Sequence, residues 1–258
     1  MGWRDWWRDA AAASILVIVL VASFVAELLC GNDSEKCPID WAGWYPGETY
    51  SPGHCGRAAH DAGLGDPALS VSSLLFVAPL VYFDKVVPFA TPLIGLFLGI
   101  ASFLFRAAYT ETSHTLDYIG VTSLAPAILS DVLAQRSPRA AKAIFAALLT
   151  SNILVRTLNE PGGSGVLGTY MYSFIPVVTA LTLGYIWQND MVGRFGGGAI
   201  FLVGGSVTLI AANASPQYWG CIDTQAAEPH FWGHLIVAIG TVLFCRAAQA
   251  KNEYIEIK

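Results

Sequence analysis

Long blocks of apolar residues, each close to the length that crosses a bilayer, constrain this chain more than any other feature. A helix rises 1.5 Å per residue, so roughly 20 apolar residues span a hydrocarbon core about 30 Å thick. Eight blocks approach that length: residues 10–29, 69–83, 89–109, 114–133, 141–158, 168–187, 191–212 and 230–248. In lipid every backbone N–H and C=O must be bonded within its own element, which makes each block a helix. A transmembrane barrel would instead show short alternating strands. Composition agrees. Of 258 residues 54% are hydrophobic and 13% charged, about half the charge of a soluble domain. Mean hydropathy is +0.52. These values exclude a soluble enzyme, a disordered chain and a disulfide-rich mini-protein. A net charge of −5 excludes a nucleic-acid binder, which needs a basic face. The expected fold is all-α, a polytopic membrane helix bundle of about eight transmembrane helices.

The chain divides into residues 1–29, an N-terminal transmembrane helix; 30–68, an outer segment with cysteines; 69–250, a seven-helix bundle; and 251–258, an inner tail. The first block is longer than a signal-peptide core and ends in Glu27-Leu28-Leu29-Cys30 without a small-x-small cleavage site, so it reads as a retained span. Arg136-Ser137-Pro138-Arg139 with Lys142 is the clearest basic loop and sets the inner, cytoplasmic side. Counting spans from it places both termini inside, in agreement with Arg246, Lys251 and Lys258 near the end of the chain. The outer side then holds Cys30, Cys37, Cys55 and Cys221, and two sequons, Asn32-Asp33-Ser34 and Asn213-Ala214-Ser215. Cysteines collected on one face suggest disulfides, and four of them allow three pairings; the short separation favours Cys30 with Cys37. No nucleotide or flavin motif is present. Gly196-Gly197-Gly198 and Gly204-Gly205 lie inside an apolar block with no Lys-Ser/Thr after them, and read as close helix packing.

Ionisable residues inside membrane spans default to function or to pairing. Ser102 and Arg106 sit at i and i+4 near the outer end of the third block. His114 opens the fourth, with Asp117 one turn on, and His230 and His234 open the eighth. His-x3-His stacks two imidazoles on one helix face, where both reach a single metal ion. Asp131, Arg156 and Arg194, near span ends, are expected to snorkel to the headgroups. Asn152 is expected to bond a neighbouring helix, and the eight tryptophans to anchor the interfaces.

Ser102-x3-Arg106, then Asp117 preceded by Leu116, then a distant His230-x3-His234 opening the last span is similar to the motif order of the alkaline ceramidases. That family belongs to the CREST superfamily of seven-helix membrane hydrolases. Cys55-Gly56-Arg57 and Asp66-Pro67 resemble a degraded form of upstream elements in bacterial members. The resemblance covers about seven of the eight spans. It implies a zinc ion held by histidines, Ser102 and Asp117 assisting the attacking water, and a Cys55–Cys221 disulfide.

The departure is Arg106, which stands where the family has its first zinc histidine; arginine cannot ligate a cation. Three arrangements are open. Arg106 pairs with Asp117 in a metal-free structural site; His114 supplies a third imidazole beside His230 and His234; or Arg106 acts as an oxyanion donor over two histidines. The first is slightly favoured. Two functional classes follow. One is a zinc-dependent hydrolase of ceramide-type lipid amides. The other is a catalytically inactive member serving as an accessory subunit of a larger membrane complex, with membrane lipids and protein subunits as partners. A transporter is disfavoured, since no repeated half or broken helix pair is visible.

Overall fold

The computed structural model describes residues 3–30, 67–83, 90–108, 111–158, 164–214 and 229–249, and among them there are helices and short turns but no strand. The elements are α1 (Trp3–Cys30), α2 (Pro67–Ser73) continuing as a 3-10 helix (Leu74–Tyr82), α3 (Ala90–Ala108), α4 (Glu111–Ala134), α5 (Pro138–Leu158), α6 (Ser164–Gln188), α7 (Val192–Ala214) and α8 (Pro229–Gln249). The protein is all-α, as the apolar blocks require. Among the described residues five helices, α1, α3, α4, α7 and α8, are long and apolar enough to cross a membrane, and Ala68–Tyr82 and Ser173–Gln188 form shorter apolar stretches. Helix α5 carries Arg139, Lys142 and Arg156.

Local chemistry explains the boundaries. Pro79 lies inside the 3-10 run; without an N–H it cannot continue an α-helical ladder. Ser137 accepts from Ala141 N–H at 3.0 Å and precedes Pro138, the residue suited to a first helical position. Helix α6 ends with Asp190 at φ 54°. Met191 N–H reaches back to Ile186 C=O at 3.0 Å and Asp190 N–H to Trp187 C=O at 3.3 Å. This is a Schellman closure, with Asp filling a position that glycine usually takes.

Lipid tails are as apolar as leucine, so helix association depends on close packing rather than on hydrophobic burial. The α7–α8 seam is built that way from both sides. A Cβ on Gly205 would lie 2.8 Å from Val237 N, and one on Gly240 would lie 2.9 Å from Leu202 N. Of the glycine run, Gly198 and Gly205 pack against α8, whereas a Cβ on Gly197 or Gly204 would meet nothing within 4 Å. Leu75, Phe76, Leu98, Leu124, Phe195 and Phe244 fill the core between α2, α3, α4, α7 and α8.

Helix α1 is clamped at its start. Arg8 Nη1 donates to Gln249 Oε1 at 2.6 Å, Arg246 Nη2 meets Asp9 Oδ2 at 2.9 Å, and Tyr82 O–H donates to Asp9 Oδ1 at 2.7 Å. The first turns of α1 and the last turn of α8 therefore share one end of the bundle. Beyond the clamp, Val17, Ile18, Val21 and Leu28 are exposed. Trp6, Trp7, Trp187 and Trp232 are also exposed, at helix ends.

The expected snorkelling is corrected for three residues, which turn inward to bind backbone or a hydroxyl of a neighbouring helix. Asp131 on α4 is buried and accepts Ala90 N–H at 2.8 Å and Thr91 N–H at 2.9 Å, capping the start of α3. Arg194 on α7 donates to the α8 carbonyls of Ala247 at 2.6 Å and Ala248 at 3.0 Å. Arg156 on α5 is buried and donates to Thr115 Oγ1 at 2.7 Å. Helix termini leave orphan donors and acceptors, and a charge that meets them gains more than one in headgroup water. Asn152 donates to Thr122 C=O at 3.0 Å, bonding a neighbouring helix. Cys37, Cys55 and Cys221 lie outside the described residues, as does the side chain of Cys30. Asn32-Asp33-Ser34 is also outside them. Cys245 is a buried free thiol.

Candidate functional site

Helices α3, α4, α6, α7 and α8 enclose a cavity of about 350 Å³. Its walls are mostly aliphatic and aromatic. Its charged residues and histidines gather where α3 ends and α4 and α8 begin, at the end of the bundle opposite the α1 clamp. Ser102, Arg106, His114, Asp117, His230 and His234 all line it. Three helices thus bring together six residues that are far apart in sequence. Helical spacing does the local work: Ser102 and Arg106 are four apart on α3, and His230 and His234 four apart on α8.

Arg106 is buried and turns to His230, with Nη2 to Nε2 at 3.0 Å. Arginine can only donate, so His230 accepts through Nε2 and carries its own proton on Nδ1. The charge of Arg106 also acts on Asp117, and Ser102 is hydrogen-bonded to the Asp117 carboxylate. One oxygen of that carboxylate, Oδ1, is sealed from solvent with no hydrogen-bond partner. Arg106 thus reaches His230 through Nη2 and acts on the Asp117 carboxylate by its charge. His114 stacks on Phe105, ring centroids 4.9 Å apart. The His230 and His234 rings meet edge to face at 4.8 Å.

Two residues behind the cluster were not singled out from the sequence. Ser72 Oγ lies 3.0 Å from His234 Nδ1, and Ser73 Oγ lies 3.0 Å from Ser102 Oγ. Both serines are fully buried, and both also bond the Leu69 carbonyl. The signal was present: Ser70, Ser72 and Ser73 interrupt an otherwise apolar block, where uncommitted hydroxyls are costly.

The zinc that the ceramidase resemblance implies does not fit this donor set. A dication on His230 Nε2 would need the lone pair that accepts from Arg106, and would sit against a fixed guanidinium charge. Among the described residues no group of three His, Cys, Asp or Glu side chains is placed to hold a metal ion. The arrangement instead offers an apolar slot with a polar head that combines one cation, one carboxylate and three imidazoles. Comparison with family models, curated proteins and solved structures returns no match.

Proposed function

We propose that this chain is a ceramidase-like integral membrane protein that binds a lipid-like amphiphile in its intramembrane cavity and does not hydrolyse it. The observation that carries the reading is the 3.0 Å contact of Arg106 Nη2 with His230 Nε2, which occupies a ligand position that zinc-dependent amide hydrolysis would require. The apolar walls suit an acyl chain, and the polar head suits the group that ends it. In this reading the chain crosses the membrane eight times with both termini inside. The α1–α8 clamp supports that topology by holding the start of α1 beside the end of α8, and the basic Arg136–Arg139 loop sets the side. The exposed apolar flank of α1 faces lipid or a protein subunit, which makes the protein an accessory member of a membrane assembly.

Metal analysis of the purified protein tests the reading. Wild-type protein should carry far less than one zinc per chain and release no fatty acid from ceramide. Arg106→His should raise zinc toward one per chain, because it removes the repelling charge and supplies a third imidazole beside His230 and His234. Stoichiometric zinc in the wild type, with ceramide cleavage, would establish the hydrolase instead.

A further inference from the structure

The apolar end of the cavity is closed by identifiable side chains. On α4, α7 and α8 the lining residues farthest from the polar head are Ile128, Ala199 and Phe244. Helices α7 and α8 run antiparallel: a Cβ on Gly233 would touch Leu209, and one on Gly198 would lie 2.5 Å from Phe244 Cδ2. Ala199 and Phe244 therefore sit at one depth. One turn beyond each of the three, away from the head, stand Val132, Phe195 and Ala248. These are buried, with 2% exposure or less, and none of them lines the cavity. The slot stops at this level.

Phe244 is braced from two sides. Its ring packs on Phe195 with centroids 5.3 Å apart, and its Cδ2–Cε2 edge faces α7 at Gly198, where no side chain intervenes. Ile128, Ala199 and Phe244 also belong to one packed core. A close-packed interior has no void for such a ring to swing into, so it cannot step aside for a longer tail. Ala199 lines the same level with a single methyl group, and a larger residue there would take its space from the cavity.

Helix rise turns these positions into a length. Fourteen residues of α8 lead from His230 to Phe244, and eleven of α4 from Asp117 to Ile128, or about 21 and 17 Å. One leaflet of the hydrocarbon core is about 15 Å deep, so the slot matches a chain of the length that fills one leaflet. A volume of about 350 Å³ spread over that length is narrow, with room for one chain rather than two. On the amphiphile-binding reading above, we infer that Phe244, with Ile128 and Ala199, forms a floor that sets the length of the single acyl chain the cavity takes, at that of palmitate. A laurate chain leaves the deep end empty, and a lignocerate chain meets the floor before its head is seated.

The test uses the full chain in phosphatidylcholine nanodiscs, titrated with radiolabelled laurate, palmitate and lignocerate and with the three matching fatty alcohols. Affinities are taken per mole fraction in the bilayer, which removes the effect of chain length on partitioning. Wild-type protein should bind the palmitate-length chain saturably at one per chain, and the other two lengths at least tenfold more weakly. Acids and alcohols should show the same order, because the floor meets only the methyl end. Ala199→Leu should turn the preference at least tenfold from palmitate toward laurate, and Phe244→Ala at least tenfold toward lignocerate. Equal binding of all lengths by the wild type, a length order that differs between acids and alcohols, or a folded variant with the wild-type preference overturns the floor while amphiphile binding stands. Saturable binding of none of the six overturns the amphiphile reading itself. The wild-type series does not depend on any variant folding.

Discussion

The two ends of the bundle handle buried polar groups in opposite ways. At the α1 clamp end, most groups are matched to fixed partners on another helix, Arg8 Nε excepted. Asp131 meets two N–H groups of α3, Arg194 two carbonyls of α8, and Asp9 both a phenol and a guanidinium. At the cavity end the inventory is similar, but the matching is incomplete. Arg106 spends a strong donor on a neutral imidazole, and Asp117 keeps an oxygen with no partner. A satisfied buried charge fastens helices, whereas an under-satisfied one beside a cavity is poised for something that enters. The difference teaches that a charged residue near a span end is not informative by type; what matters is whether its partner is backbone or open space.

One substitution applied at both ends tests that contrast most strongly. Asp131→Asn replaces an oxygen that accepts a buried N–H with an amide that cannot accept. It should cost about 3 kcal/mol in detergent-micelle unfolding, since a backbone donor is stranded and a charge-assisted bond lost. Asp117→Asn removes a charge whose environment does not fully compensate it. It should leave stability within about 1 kcal/mol of wild type, because the desolvation cost of the charge offsets what Arg106 returns. Equal losses at the two positions would show that the cavity end is as tightly matched as the clamp end, and the contrast would fail.

The contrast also marks what the sequence could reveal. Apolar block length determines the all-α fold, because lipid permits no other continuous structure. The meeting of Ser102, Arg106, His114, Asp117, His230 and His234 at one cavity was legible from span counting, since each lies where its helix approaches the same face. Bonding partners were not legible. Arg106 sits within reach of a carboxylate and an imidazole, and nothing in residue spacing says which the guanidinium will touch. Asp131 and Arg194 were misjudged for a related reason: snorkelling is a rule about single helices, and both residues cap a helix distant in sequence. The Ser72–His234 and Ser73–Ser102 contacts depend on how α2 seats against α3 and α8, which is a packing outcome rather than a pattern. The outer segment, with its cysteines, lies outside what the fold describes.

Ser72→Ala gives a smaller effect at the cavity end than Asp131→Asn gives at the clamp. The hydroxyl lies 3.0 Å from His234 Nδ1 and 2.9 Å from Leu69 C=O. Removing it leaves that imidazole nitrogen unmet, at a cost of about 1–2 kcal/mol. Nitrogen NMR of labelled His234 should register the loss as a change in the Nδ1 shift. An unchanged spectrum would remove Ser72 from the site and leave it as ordinary packing.

The smallest effect belongs to the clamp end, and it limits the idea that every matched charge there is strong. Arg246 and Asp9 approach to 2.9 Å, but their side chains are 41% and 30% exposed. Exposed pairs of this kind contribute about 0.2–1 kcal/mol, and salt screens them over a Debye length of about 8 Å at physiological strength. Asp9→Asn keeps an oxygen for the Tyr82 hydroxyl, which lies 2.7 Å away, and loses only the charge. The expected cost is about 0.5 kcal/mol at low salt, falling toward zero at 1 M. A double-mutant cycle with Arg246→Met isolates that term. A coupling several times larger, and insensitive to salt, would mean that Asp9 is effectively shielded where α1 meets α8. The N-terminal helix would then be fastened as firmly as the α3 cap at Asp131, making α1 an integral part of the bundle rather than an appended span.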